Sequence, residues 1–462
     1  MMRLLLFFTL HTLHCTLHLV ASGEKPNFVF ILVDDLGWTG TSVALHEQLD
    51  FSQSDYYQTP SIAQLAEQGM RFSHAYSPAP LCTPSRASIL TGKSPAELHI
   101  TSPGRSNPQA YHKLVEVENR TELKTSEITI AELLNQNGYK TAHFGKWHLG
   151  RSNPGKHGFD VHDGSTSNSD SENTNGNNPK DIFGVTSRAI DFIEKQAEAN
   201  TPFYLQLSHY AVHSPTEARR ESIQRFNSVA KGKRHKDAEF AAMTWDLDQS
   251  IGALLAKIRE LDLTSTTYII FASDNGAAGN RRASQNLPLN GGKGSLLEGG
   301  IRVPLIVSGP GIEGKSNSQV PTIGYDLYPT IAELAGVSFN HEIAGTSLVS
   351  VLQDSATTLD RQGDALYFHY PHYGRGPRQK PQSAIISGRY KLLKDWETGS
   401  LELYDLDRDI SESKDLSRSN PDLRDKLSKQ LNDWLLQVNA QLPEANPHYD
   451  ADANPRSNRR RR

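Results

Sequence analysis

Cysteine is almost missing from this chain of 462 residues: there are two, Cys15 and Cys82. So small a supply excludes a disulfide-stapled scaffold and a thiolate metal cluster. A strong charge of either sign is missing too, since 48 basic against 52 acidic residues leave a formal net charge of −4. No whole-molecule field would draw the chain to nucleic acid, so recognition has to be local. Beyond residue 23 no segment approaches the ~20 consecutive apolar residues of a spanning helix, and no repeat of fixed period is visible. The one long apolar run, residues 4–20, follows Met1-Met2-Arg3 and ends on Ala21-Ser22-Gly23. A charged start, an apolar middle and a small-residue end read as a secretory signal over residues 1–22. The mature protein is then expected in a periplasm or secreted, with no membrane span, and Cys15 leaves with the leader. Cys82 remains as a lone thiol in an exported protein. It is either an inert buried residue or a reactive one.

What is present is a set of short apolar runs alternating with helical patterns, the signature of an α/β sheet covered by helices. Residues 27–33, 139–144, 203–207, 268–272 and 304–307 read as buried strands. Thr59 and Pro60 open one helix as cap and first-turn proline. A second pattern covers residues 128–136. Phe240, Met243, Leu247, Ile251, Leu254, Leu255, Ile258 and Leu261 recur at steps of three and four, which marks a long amphipathic helix. From about residue 345 the character changes to strand-like pieces at 365–370, 383–387, 390–393 and 401–404. A helix capped by Asn420 follows, with Leu423, Leu427, Leu431, Trp434, Leu435 and Val438 as its buried stripe.

The polar residues gather where these strands end. Asp34-Asp35, Lys146 with His148, His209 with His213, and Asp274-Asn275 each follow an apolar run. Ligands of open parallel sheets bind beyond the carboxyl ends of strands, so the four clusters should meet in one crevice. The acids offer only oxygen ligands, which suits a hard divalent cation. A single acidic pair also fits a solvated turn. Cys82 precedes Pro84 and a helical stretch, so it should stand at a helix N-terminus, where the dipole favours an anion. Arg86 one turn on can fork onto an oxyanion, and Lys293 follows on a glycine-rich loop. Taken together, these residues describe a site for a tetrahedral anion.

The run Cys82-Thr83-Pro84-Ser85-Arg86 through Lys93 resembles the signature of the type I sulfatases of the alkaline phosphatase superfamily. Residues 138–148 resemble the family's second signature, with Phe144 where a branched aliphatic residue is commoner. Asp34-Asp35, Ser273-Asp274-Asn275-Gly276, and Gly292-Lys293-Gly294-Ser295 running on to Pro304 match further blocks in the same order. The resemblance implies an alkaline-phosphatase-like fold: a large mixed, mostly parallel sheet flanked by helices over residues 23–345. A small C-terminal subdomain of antiparallel sheet plus one helix would occupy 346–445. Apart from the resemblance, the ending in four arginines reads as a disordered basic tail over 446–462, with adhesion to an acidic polymer as the other reading. The resemblance also implies that a maturation enzyme converts Cys82 to formylglycine, and that Asp34, Asp35, residue 82, Asp274 and Asn275 hold one calcium ion. Arg86 and Lys146 would support residue 82 and the sulfate, His148 would assist release, and Lys293 and His213 would flank the leaving oxygen.

The expected activity is hydrolysis of sulfate esters on a sulfated carbohydrate. Rival readings are a formylglycine-dependent phosphodiesterase or phosphonate hydrolase, and a glycan-binding protein without catalysis. His209, His372 and Arg375 are candidate substrate contacts, the last two on the aromatic, His- and Arg-bearing stretch 368–378, which fits a packed loop equally well. The polar run 164–180 reads as a loop too poor in apolar residues to pack. The sugar and the oligomeric state stay open.

Overall fold

The computed structural model describes residues 25–104, 109–171, 176–278, 286–354, 356–374 and 379–453. The leader, Arg375 and the terminal residues 454–462 lie outside them. Eight strands form the main sheet: β1 (Asn27–Val33), β2 (Gly69–Phe72), β3 (Lys140–Gly145), β4 (Val161–His162), β5 (Phe203–Ser208), β6 (Thr267–Ser273), β7 (Leu305–Ser308) and β8 (Ser316–Ser318). Their spatial order is β8-β2-β7-β6-β1-β5-β3-β4. Seven run parallel; β7 alone runs against its neighbours β6 and β2. Strands β2, β4 and β8 are short and leave no periodic trace in the sequence, so they are found only through their partners.

Strand β1 shows why its sequence is apolar without alternation. Val29, Ile31 and Val33 face one layer, packed against α1 (Pro60–Glu67), α4 (Ile182–Glu198) and α5 (Ala238–Glu260). Phe28, Phe30 and Leu32 face the other, with α2 (Cys82–Thr91), α3 (Ile130–Gln136) and α6 (Leu327–Leu334). A strand covered on both faces buries every side chain. Local capping differs from expectation in three places. Thr59 and Asn420 sit at helix starts without a side-chain cap; Thr59 Oγ1 accepts instead from the Ser42 N–H at 2.8 Å. Thr129 supplies an unforeseen capping box with Glu132 at α3. In the polar run 164–180, Asn178 Oδ1 accepts from Phe183 N and Gly184 N, so part of it is tied to the start of α4.

A separate antiparallel sheet contains β9 (Ala365–Tyr370), β10 (Gln382–Ser387), β11 (Tyr390–Asp395) and β12 (Leu401–Asp405). One face holds α7 (Pro421–Gln437), with Trp434 stacked on Tyr367 at 4.8 Å between ring centroids. The opposite face packs Leu366, Phe368 and Ile386 against Tyr76, Leu296, Leu297 and Ile301. Buried charges cross that same seam. Lys391 on β11 pairs with Glu298 at 2.9 Å and Glu412 at 2.8 Å. Glu298 in turn meets Arg302 at 3.4 Å and the Tyr76 hydroxyl at 3.2 Å. Burial pushes the Glu412 carboxyl up to about 7, against the pull of Lys391.

Removing one member of a buried ion network leaves the others uncompensated. Lys391→Ala should therefore cost roughly 3–5 kcal/mol in denaturant unfolding at pH 8. The folded state binds the Glu412 proton more tightly than the unfolded chain, so this deficit should shrink as pH falls from about 7 towards the ordinary glutamate value of 4.5. A cost that does not change with pH would mean that Glu412 is not the group left exposed to the loss.

Candidate active site

The order β6-β1-β5-β3 brings four neighbouring strand ends side by side, and each carries one polar cluster. Beyond β1 stand Asp34 and Asp35, beyond β6 Asp274 and Asn275, beyond β3 Lys146 and His148, beyond β5 His209 and His213. The loops lock together through the backbone. Asp34 N donates to Ala211 O at 3.0 Å, Val212 N to Asp34 O at 2.7 Å, and Lys146 N to Ser208 O at 2.8 Å. Gly145 has φ of 90°, and a Cβ there would lie 2.0 Å from Ser208 O, so only glycine permits this crossing.

Helix α2 delivers Cys82 from the side. All ten of its residues are buried. Cys82 is its first residue and Pro84 its third, where a missing N–H costs no helical bond. Ser85 Oγ donates to Ala79 O and accepts from Ala79 N, which fixes the approach to the helix. The reactive-thiol expectation meets a contrary force here. Burial raises the Cys82 thiol above its ordinary range despite Lys146 and Lys293. Unmodified, Cys82 is a poor nucleophile.

Oxygen donors surround that sulfur. Single donor atoms of Asp34, Cys82 and Asp274 all lie within 4.8 Å of one another. Asp274 Oδ1 accepts from Asp35 N at 3.3 Å, and Asp35 Oδ1 accepts from Asn275 Nδ2 at 2.7 Å. Two buried oxygens, Asp34 Oδ1 and Asn275 Oδ1, have no hydrogen-bond partner. Burial and the neighbouring Asp34 push Asp274 up to about 6, although Arg86 and Lys146 oppose the shift. Burial would raise Asp34 as well, but Lys146, His213, Lys293 and Arg86 hold it below the usual carboxylate range. Unpartnered oxygens and mutually repelling acids are what a hard cation relieves, so the donor set fits calcium.

Cations close the cluster. Arg86 Nε donates to Asp274 Oδ2 at 2.9 Å and Nη1 to Lys146 O at 2.6 Å. Lys146 Nζ donates to Asp34 Oδ2 at 2.5 Å, and Lys293 Nζ to Asp35 Oδ1 at 2.6 Å. His148 has φ of 56° and is held by Thr83, whose hydroxyl donates to His148 O at 2.9 Å and lies 3.3 Å from Nδ1. Thr83 escaped the sequence reading, although it stands inside the Cys82 motif. Burial, with Lys146 and Arg86, lowers His148 to about 3. His213 stands 3.9 Å from Asp35, and burial lowers it against the pull of Asp34 and Asp35.

The remaining candidates part company with this group. His209 is fully buried, burial lowers it to about 3, and neither ring nitrogen has a partner. His372 is also buried and bonds Thr101 Oγ1 at 2.7 Å and Glu116 Oε2 at 3.3 Å. His369 is spent on Ser383 Oγ and Gln441 O. The two histidines of stretch 368–378 are therefore packing groups and not open contacts for a sugar. Gln379, just beyond that stretch, does reach the cluster's rim: its Nε2 donates to Lys293 O at 2.5 Å.

The family profile described as Sulfatase matches residues 26–337, and a profile described as N-sulphoglucosamine sulphohydrolase, C-terminal, matches residues 292–441. Among curated proteins, a sulfatase of Formosa agariphila is 29% identical over 91% of this chain and 90% of its own length. N-acetylgalactosamine-6-sulfatase of Mus musculus is 31% identical over 70% of this chain and 65% of that enzyme. Among solved structures, Ps i-CgsB in complex with k-i-k-neocarrahexaose superposes with a TM-score of 0.74 at 26% identity, covering 95% of this chain and 97% of that one. The chain therefore belongs to the sulfatase family, within the alkaline phosphatase-like superfamily, and is a sulfuric ester hydrolase.

Proposed function

We propose that the protein is exported and removes sulfate from a sulfated carbohydrate, using formylglycine at residue 82 beside one calcium ion. The observation that carries this reading is the convergence of Asp34, Cys82 and Asp274 within 4.8 Å, closed in by Arg86, Lys146 and Lys293. The galactosamine sulfatase relative and the solved structure holding a neocarrahexaose support a saccharide as the ester's carrier. The apolar run of residues 4–20, which follows Arg3 and ends on Ala21-Ser22-Gly23, supports export.

Asp34, Asp35, Asp274, Asn275 and residue 82 would hold the calcium, which supplies positive charge against a sulfate oxygen and lowers the pKa of a neighbouring hydroxyl. Formylglycine, installed by a maturation enzyme, would add one water to become a hydrate with two hydroxyls on one carbon, a nucleophile towards sulfur and a second hydroxyl through which sulfate could be released. The chain's own groups do the rest. Arg86, tied to Asp274 and to Lys146 O, cannot swing and presents a fixed positive charge to the sulfate oxygens. Lys146, bonded through Nζ to Asp34 Oδ2, sets a cationic side chain against the charge that builds on the sulfate. His148 keeps Nδ1 beside Thr83, which leaves Nε2 free to take and return a proton during release. His213 Nδ1 donates to Ser214 O at 2.6 Å, so in the imidazolium form its second N–H, on Nε2, would give the proton to the leaving oxygen, with Lys293 alongside. General acid help of this kind is typically worth 10²–10⁴-fold.

Peptide mass analysis of active protein should find the aldehyde at residue 82; active protein carrying only an unmodified thiol there would end the mechanism. Asp274→Ala should lose bound calcium and sulfate release together, because it removes a carboxylate from an all-oxygen site. In the wild type, chelation should lower the melting temperature, since a ligand bound only by the folded state stabilises it. Full activity after exhaustive chelation would count against the ion. The rate on a sulfated saccharide should exceed that on the matching phosphate ester, and the reverse ratio would favour the phosphodiesterase alternative.

A further inference from the structure

Beside the His148 loop opens a cavity of about 400 Å³, lined by Glu122, Lys124, Thr125, Arg151, Ser152 and Lys156. Its place is set by the loop that leaves β3. Three peptide steps lead from His148 to Arg151, which keeps their Cα atoms within about 11 Å. The far wall is tied to the same loop, because Leu123 N donates to Leu149 O at 3.4 Å. Thr129 Oγ1 donates to His157 O at 2.7 Å, and Thr129 caps α3. Helix α3 leads directly back into β3 and so runs opposite to it, which puts its capped end at the carboxyl end of the sheet. The cavity and the catalytic cluster therefore share one end of the molecule.

Its charge is unbalanced. Lys124, Arg151 and Lys156 are exposed, and none makes an ion pair or side-chain hydrogen bond among the described residues. The single acid in the lining, Glu122, accepts from Ser152 N at 2.8 Å, which commits one of its oxygens to the loop. Three unpaired cations around one concavity make a site for an anionic group, and an arginine among them can bind sulfate or carboxylate with two parallel bonds.

We propose that this cavity is a subsite for a second anionic group on the substrate, a sulfate or a carboxylate, held while another sulfate sits at residue 82. The substrate class is then a saccharide bearing several acidic groups. This rests on the sulfatase reading above, and the experiment separates the two. Lys124→Ala, Arg151→Ala, Lys156→Ala and the triple variant are compared with wild type on a small aryl sulfate and on saccharides bearing one or several sulfates. In the triple variant KM for the multiply sulfated saccharides should rise roughly tenfold or more. The salt dependence of that KM should flatten. Turnover of the aryl sulfate and the melting temperature should not move. Equal losses on both substrate types, or an unchanged KM on the multiply sulfated ones, overturns the subsite. Calorimetric titration with a heparin hexasaccharide reads binding without catalysis. Weaker binding by the triple variant supports the subsite even if no sulfate ester is cleaved, an outcome that would defeat only the hydrolase mechanism; equal binding defeats the subsite. Titration with inorganic sulfate completes the test. If free sulfate binds wild type as tightly as the hexasaccharide and the triple variant loses it, the cavity serves a free anion and the substrate assignment falls.

Discussion

Like charges brought together out of water are the constraint on which this structure turns. Asp34 and Asp274 are fully buried beside the sulfur of Cys82, and two buried cations, Arg86 and Lys146, stand against them. None of these groups could be buried alone, because an isolated charge in the interior costs several kcal/mol. Each is tolerable only because the others arrive from different strand ends at the same point. The site is thus a joint product of four loops and α2, and losing one member changes the protonation of the rest. The upward pull on Asp274 and the downward pull on Asp34 are two sides of that coupling.

A second buried network serves the first. Glu298, held by Lys391 and facing Arg302 and Tyr76, opens the short turn of helix Glu298–Ile301. Gly300 O of that turn accepts from Gly276 N at 3.0 Å, next to Asn275. A Cβ on Gly276 would lie 2.0 Å from Gly299 O, so the two segments touch backbone to backbone. The small antiparallel sheet therefore does more than cover apolar surface. Through Lys391 it braces the loop that carries Asp274 and Asn275.

Much of the site could be read in the chain before any fold was known. Acids, lysines and histidines stood just after apolar runs, and the rule that parallel strands bind at their carboxyl ends gathered Asp34, Asp35, Lys146, His148, His213, Asp274 and Asn275. The motif from Cys82 to Arg86 added α2. Other readings failed where the partner was remote. Thr59 looked like a cap but is taken by Ser42. His372 looked like a sugar contact but is held by Thr101 and Glu116. A polar side chain near a likely site has no local signal telling whether it faces solvent or a buried neighbour.

The amino-acid pattern alone was enough for the longer strands β1, β3, β5 and β6 and for helices such as α5, because burial on one or both faces writes a period of its own; the short strands β2, β4 and β8 carry no such trace. It also determined the chemistry at the strand ends, because side-chain type limits what can bind a hard cation or an anion. The order of the strands, the reversed direction of β7 and the adjacency of β6, β1, β5 and β3 came only from the tertiary structure. So did the pairing of Lys391 with Glu298, 93 positions apart in the chain, and the meeting of Lys124 with Arg151 and Lys156 around one cavity. The physical reason is range: periodicity and capping act over a few residues, whereas charge balance and close packing are settled between atoms that only folding brings within a few ångströms.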